Sequence, residues 1–306
     1  MNPSAQQRAT ERATERARAS YLRACELDVA VRKPGNVSRQ SAGHRMQAAL
    51  FSASACASVG PLFRPGARVG ERIEAAVAAT WAAAGCNTNL GIVLLCAPIA
   101  RAVELQPHAA DPATLRAAIE AVLADLDLTD AHATYRAIAQ ADPGGLGTAP
   151  AQDVHSTPSI ALRAAMALAA ERDSIARQYR DGYAELFELG GASLTTRLPD
   201  GPIAQGDEES AAVTLAVQRI YLGFLAALPD SHIVRKHGAA LAHSVMSAAQ
   251  PWHARALAGE PLDADPDFAA WDLALKAAGL NPGTSADFTV AALFLAGLIA
   301  GPVAPA

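Results

Sequence analysis

The sequence predicts an all-α fold, built as a single multi-helical domain over residues 1–306. Three observations lead there. Apolar residues recur at steps of three and four along nearly the whole chain. Val213, Val217, Ile220, Tyr221, Phe224, Leu225 and Leu228 form one such stripe, the spacing that lines one face of a helix. Strand signals are scarce, with few β-branched runs and no Asn-Gly turn between alternating segments. Alanine dominates a composition that is 51% hydrophobic and only 5% aromatic, and alanine both favours helix and lets helices approach closely.

Taken in order, residues 1–20 carry "RATERATERAR", which sets Glu and Arg at short helical spacings and reads as the exposed start of a helix. A polar loop at 32–44 interrupts the apolar texture. Further breaks are expected at 60–69, 85–88 and 106–111. Between them, residues 89–105 are apolar on nearly every side, which predicts a helix through the centre. The stretch 142–158, "DPGGLGTAPAQDVHSTP", is rich in turn formers and reads as a long loop or lid within one domain. Residues 159–189 form a long amphipathic segment, stopped by Gly190-Gly191. Breaks at 190–208, 229–232, 251–266 and 279–286 complete the pattern. The longest apolar run, "FTVAALFLAGLIAG", ends at Gly301-Pro302 and is shorter than the ~20 residues a membrane span needs. It reads as a buried C-terminal helix.

Composition narrows the function. The net charge of −5 leaves no basic stripe for nucleic acid and no polybasic membrane surface. The charged N-terminus lacks the apolar core of a secretory signal, so a cytoplasmic location is expected. Cys25, Cys56, Cys86 and Cys96 form no C-x-x-C pair, so buried, reduced thiols are expected rather than disulfides or zinc ligands.

Polar residues concentrate in four of the breaks. The first is the loop from Lys33 to His44, preceded by Glu26. The second is "GCNTNLG", with Asn87, Thr88 and Asn89 before the most apolar helix. The third is "LPDSHIVRKHG", with Asp230, His232, Arg235 and Lys236. The fourth is "NPGTSAD", with Asn281, Thr284, Ser285 and Asp287. The second and fourth place Asn, Ser, Thr and Gly at helix starts, where unpaired N–H groups and the helix dipole suit an anion. Each could equally be a plain N-cap. Asp173 and Arg177, at i and i+4, would ordinarily be a surface ion pair.

Three of these segments, "KPGNVSRQSAGH", "NTNLG" and "LNPGTSAD", resemble the signature segments of the triphosphoribosyl-dephospho-CoA synthase family, from about Glu26 to Leu298. That resemblance implies an all-α enzyme that joins ATP to 3′-dephospho-CoA and releases adenine. Departures are visible. Arg45 follows His44 where the family pattern has an acid after another residue. Asn89 and Leu90 stand where it reads His and Lys, and "DSHIVRKHG" replaces D-T-N-v-x-x-R-G-G. The G-E-A-x-x-G-F segment is not found after Phe187. These features are similar to a divergent branch associated with methylotrophic bacteria. A related condensation in methanopterin- or methylofuran-linked coenzyme synthesis is therefore one alternative, and a non-catalytic nucleotide-binding helical protein another.

If the chemistry is kept, Lys33 and Arg39 neutralise phosphate, with Arg235 and Lys236 as second candidates. Asn36, His44, Asn87, Asn89, Asn281 and Thr284 hold substrate. Asp230 with His232 forms the general-base pair, with Asp287 in reserve. Glu26 and Asp173 hold Mg²⁺ on the triphosphate. The partners expected are a small-molecule nucleotide and a coenzyme precursor, acting on a monomer or a homo-oligomer.

Overall fold

Alanine-rich helices pack closely, and the chain uses that to wrap a ring of helices around two apolar ones. The structure, a computed structural model, describes residues 3–43, 46–194 and 209–300. His44, Arg45, the 195–208 part of the expected break and the Gly301-Pro302 stop lie outside the described residues. Helices follow in the order α1 (Pro3–Ala30), α2 (Ala48–Leu62), α3 (Val69–Ala84), α4 (Leu90–Leu105), α5 (Pro112–Ala124), α6 (Leu128–Ala141) and α7 (Leu162–Ala169). They continue with α8 (Ser174–Asp181), α9 (Ala184–Leu194), α10 (Ala211–Ala227), α11 (Ser231–His237), α12 (Ala239–Leu257), α13 (Pro266–Ala277) and α14 (Gly283–Ala300). No strand occurs among the described residues, so the all-α expectation holds; Gly43 and Met46 form one isolated bridge.

Helices α4 and α14 occupy the centre, as their all-round apolarity requires. α4 packs against α1, α3, α5 and α14, and α14 against α1, α9 and α10. Tyr21, Phe63 and Phe294 meet edge-on with ring centroids 6.0 Å apart. α1 and α14 approach so closely that a Cβ on Gly297 would lie 2.7 Å from Ser20 Oγ. A second apolar cluster, including Tyr221, Ile233, Val245 and Phe268, joins α10 to α11, α12 and α13.

Prolines inside helices show how burial decides what a broken bond needs. Pro98 in α4 has no N–H for the Leu94 carbonyl. That carbonyl is buried and accepts from Tyr179 Oη at 2.7 Å, while Tyr183 Oη donates to the neighbouring Leu95 carbonyl at 2.8 Å. Pro251 in α12 frees the carbonyl of Ser247, an exposed residue, where solvent can serve. The expected break at 251–266 therefore shrinks, and the one at 60–69 likewise, since α2 runs through Gly60 and Pro61.

Other boundaries differ from expectation. The segment 159–189 is three helices, not one: Asp173 starts α8 as its cap and Gly182, at φ 62°, ends it. Gly190-Gly191 does not stop α9, which continues to Leu194. Only Cys25 and Cys96 are buried; Cys56 is exposed and Cys86 half-buried, because the last two fall on the outer face of α2 and after the end of α3. Burial pushes the Cys25 and Cys96 thiols well up.

Candidate active site

The starts of α4, α8, α11 and α14 and the end of α1 meet around one cleft of about 630 Å³. All four polar sequence clusters contribute to it. Asn36, Asn87, Asn89, His232, Arg235, Lys236, Asn281, Thr284 and Asp287 line its wall, and so does Asp173.

Two short side chains staple the helix starts together. Asp230 caps α11, its Oδ1 accepting from the His232 N–H at 2.9 Å and the Ile233 N–H at 3.2 Å. Its Oδ2 accepts from the Ser285 N–H at 2.7 Å and Ser285 Oγ at 2.8 Å, which fixes α14 to α11. Ser231 Oγ accepts from the Ser174 N–H at 2.8 Å and donates to Ser174 Oγ at 3.0 Å, which fixes α8. The His232 N–H also donates to Thr284 Oγ1 at 3.1 Å. Asp230 is thus buried behind the wall with both oxygens committed, although burial raises its pKa. The expected Asp230–His232 base pair is corrected on that ground: Asp230 meets His232 at its backbone N–H, and no lone pair of the acid is left over for the cleft.

Asp287, expected in reserve, occupies the better position. It sits one turn into α14 and lines the cleft over Gly91. A Cβ on Gly91 would lie 2.0 Å from Asp287 Oδ2, so the "NTNLG" glycine is what admits the carboxylate. Enclosure by protein, with the like charges of Asp28 and Asp230 close by, raises the Asp287 pKa well above the ordinary carboxylate range. The His232 ring rests on Gly283, where a Cβ would meet Nδ1 at 2.5 Å.

The asparagines do distinct work. Asn87 Oδ1 accepts from the Leu90 N–H at 3.2 Å and caps α4. Asn89 makes no cap bond and instead reaches Ser58 Oγ at 3.4 Å. Asn36 donates to Asn281 Oδ1 at 2.9 Å and ties the opening loop to the start of α14.

The opening loop departs most from expectation. Lys33 is fully buried; its ammonium lies 3.1 Å from Asp28 Oδ1 and also donates to the Asp28 carbonyl. It does not line the cleft, so its expected contact with phosphate is corrected: the carboxylate it neutralises is the protein's own. Arg39 is exposed and also off the wall. The loop is clamped from behind, where Tyr221 Oη donates to the Pro34 carbonyl at 2.6 Å and Asp272 Oδ1 accepts from the Gly35 N–H at 2.8 Å.

The two expected metal ligands are not brought together on the wall. Glu26 is half-buried, 3.8 Å from Arg23, and does not line the cleft. Asp173 does, with Oδ1 capping α8 through the Ile175 and Ala176 N–H groups at 2.9 and 3.0 Å. Arg177 pairs with Glu185 at 2.8 Å rather than with Asp173. Among the described residues no group of three or more His, Cys, Asp or Glu side chains is arranged to hold a metal unaided.

Among the polar wall residues that sequence reasoning did not single out are Asp28, Arg172 and Tyr135. Asp28 had a readable signal. Ala17, Tyr21, Ala24, Asp28 and Val31 are all buried and follow steps of four, three, four and three, so an acid sits on the core stripe of α1. Tyr135 Oη donates to the Gln152 carbonyl at 2.8 Å and anchors the 142–158 loop. That loop forms one wall of the cleft.

Fold and cleft together define an all-α enzyme with a carboxylate floor, a cationic rim and several helix starts converging between them. Residues 14–304 match the ATP:dephospho-CoA triphosphoribosyl transferase family, and the chain belongs to that family. It is accordingly a transferase of the triphosphoribosyl-dephospho-CoA synthase kind. A crystal structure from Archaeoglobus fulgidus, assigned as a triphosphoribosyl-dephospho-CoA synthase, shares the fold with a TM-score of 0.60. It is 21% identical, and the alignment covers 81% of this chain and 96% of that one. No curated protein sequence matches the chain. No single helix among the described residues is long and apolar enough to cross a membrane.

Proposed function

We propose that the cleft transfers the triphosphoribosyl group of ATP to a hydroxyl of 3′-dephospho-CoA, with Asp287 as general base. The C1′–N9 bond of ATP breaks and adenine leaves with its electron pair, while the acceptor oxygen bonds C1′. The hydroxyl proton passes to Asp287 as positive charge on the ribose ring declines. One observation carries this reading. Of the carboxylates at the helix starts, Asp287 alone faces the cleft without a hydrogen bond among the described residues, whereas Asp173 caps α8 through one oxygen and Asp230 is committed at both. A carboxyl whose pKa is raised by its surroundings holds a proton more readily than an ordinary one, which suits proton transfer.

His232, Asn36, Asn281 and Thr284 would orient ribose hydroxyls, and Asn87 and Asn89 would keep the first turn of α4 turned to the substrate. A divalent cation, Mg²⁺ in this proposal, would shield the triphosphate charge. Such an ion keeps several waters and needs only one or two protein carboxylates. Asp173, with Oδ2 free of capping duty, is the ligand the wall offers; Glu26 is not.

A second reading concerns the acceptor. Leu90 lines the cleft at the position where the family pattern has lysine, which favours an acceptor with less charge there, as in a related one-carbon coenzyme condensation. The deciding experiment supplies ATP and dephospho-CoA and measures free adenine together with the mass of the condensed product. Adenine and product in equal amounts, lost in Asp287→Asn, support the first reading. Tight ATP binding without adenine release sinks it and sends the search to other acceptors.

A further inference from the structure

The glycine run in "DPGGLG" has no role in the reading so far, Arg172 has none, and Lys236 has stood only as a second candidate for phosphate. Arg172, on the turn between α7 and α8, and Lys236, in the last turn of α11, both line the cleft and are exposed at its mouth. Neither has a carboxylate partner among the described residues. Most arginines elsewhere in the chain do, including Arg23, Arg68, Arg72, Arg136, Arg163 and Arg255. The helix dipole accounts for a basic last turn in α11, but it does not account for Arg172, which belongs to another element.

The glycines explain how the loop reaches these cations. A Cβ on Gly144 would lie 2.9 Å from Lys236 Cε, and one on Gly145, at φ +77°, would lie 2.8 Å from the Arg235 carbonyl. Arg235 Nε donates to the Gly144 carbonyl at 3.3 Å, and its Nη1 stands 3.5 Å from Asp173 Oδ2. Side chains on the loop would push it off α11 and widen the mouth. Arg235 is engaged at both ends, while Arg172 and Lys236 remain for a ligand. Burial and the neighbouring Arg235 also lower the Lys236 pKa, as expected of a cation without a counter-charge.

We infer that Arg172 and Lys236, closed over by the Gly144–Gly147 loop, bind the polyphosphate chain of the nucleotide at the cleft mouth. This keeps the phosphates at the cleft mouth and leaves C1′ to reach the carboxylate floor. It rests on the cleft being a nucleotide site, and its test is separable from the transferase reading.

The probe is inorganic tripolyphosphate titrated calorimetrically into the full chain. Wild-type protein should bind it. Arg172→Gln and Lys236→Gln should each weaken binding about tenfold, the loss of one charge-assisted contact at a partly solvated site. Arg12→Gln, exposed on α1, should bind as wild type and control for net charge. Circular dichroism would show that all three remain folded. Wild-type protein that does not bind tripolyphosphate overturns the inference. So does loss of affinity in Arg39→Gln with none in Arg172→Gln, which would return the phosphates to the opening loop. If adenine release proceeds with an unchanged KM for ATP in both rim variants, the rim inference falls and the transferase reading stands. If the rim variants lose tripolyphosphate but the wild type releases no adenine, the reverse holds.

Discussion

The floor and the rim of the cleft use charge in opposite ways. At the floor, Asp230 is buried with four donors on its two oxygens, and Asp28 is buried against Lys33. At the rim, Arg172 and Lys236 are exposed and without carboxylate partners among the described residues. A buried charge must be satisfied by the protein itself, because unpaired it costs several kcal/mol. An exposed one can wait for a ligand. Asp287 is the exception that makes the floor reactive: it is enclosed, near other acids, and without a side-chain hydrogen bond among the described residues.

The largest effect should come from that exception. Asp287→Asn should lower kcat by about 10²–10⁴, the range for removing a general base, in the adenine-release assay. Its stability should move the other way. The folded-state pKa of Asp287 is raised, so its favourable contribution is complete below the unfolded carboxylate value of about 4 and is lost as pH rises through the raised value. Above the unfolded carboxylate value, enclosing this acid is a net cost. Asp287→Asn should therefore be more stable than wild type near pH 7, with the gap closing below about pH 4. Denaturant midpoints across pH would measure it; a variant less stable at neutral pH would show that Asp287 is structural like Asp230.

Next in size is Lys33→Ala. Read from the loop alone, this lysine should matter to ligand and little to the core. Buried against Asp28, its removal strands a carboxylate and should cost about 3–5 kcal/mol of stability. A folded, fully stable Lys33→Ala with weakened nucleotide binding would restore the phosphate role and break the contrast between floor and rim.

Gly91→Ala probes the floor more gently. The added Cβ needs the space of Asp287 Oδ2, and the carboxylate can swing toward the open cleft. Stability should change little, while a base displaced by about 1 Å should cost up to about 10²-fold in kcat.

How far the sequence could lead follows from the same contrast. Helices and their convergence were legible because stripes and caps are local signals: Asp230, Thr284 and Asn87 sit where helix-start chemistry says they should. What Asp230 and Lys33 do was not, since a cap and a base, or a ligand cation and a buried counter-charge, have identical sequence neighbourhoods. Partners settle the difference, and the Ser285 and Asp28 partners are distant or off the motif. Asp28 was legible in principle, as an acid on a core stripe. Glu26 drew attention instead, though it falls off that stripe and lies farther from Lys33 than Asp28 does. Arg172 had no local signal, because its meaning comes from the loop and α11 across the mouth.

The smallest effect should be at Thr284, and its size depends on its neighbour. The His232 N–H is shared between Asp230 Oδ1 at 2.9 Å and Thr284 Oγ1 at 3.1 Å. Thr284→Val keeps the shape and removes the second acceptor, leaving the donor satisfied, so the loss should stay below about 1 kcal/mol. In an Asp230→Ala background the same change leaves that N–H without an acceptor, and should cost about 1–3 kcal/mol. The double-mutant cycle should therefore show positive coupling between two residues that do not bond each other. Additive losses would mean that Asp230 alone holds the start of α11, and that Thr284 Oγ1 is open to substrate.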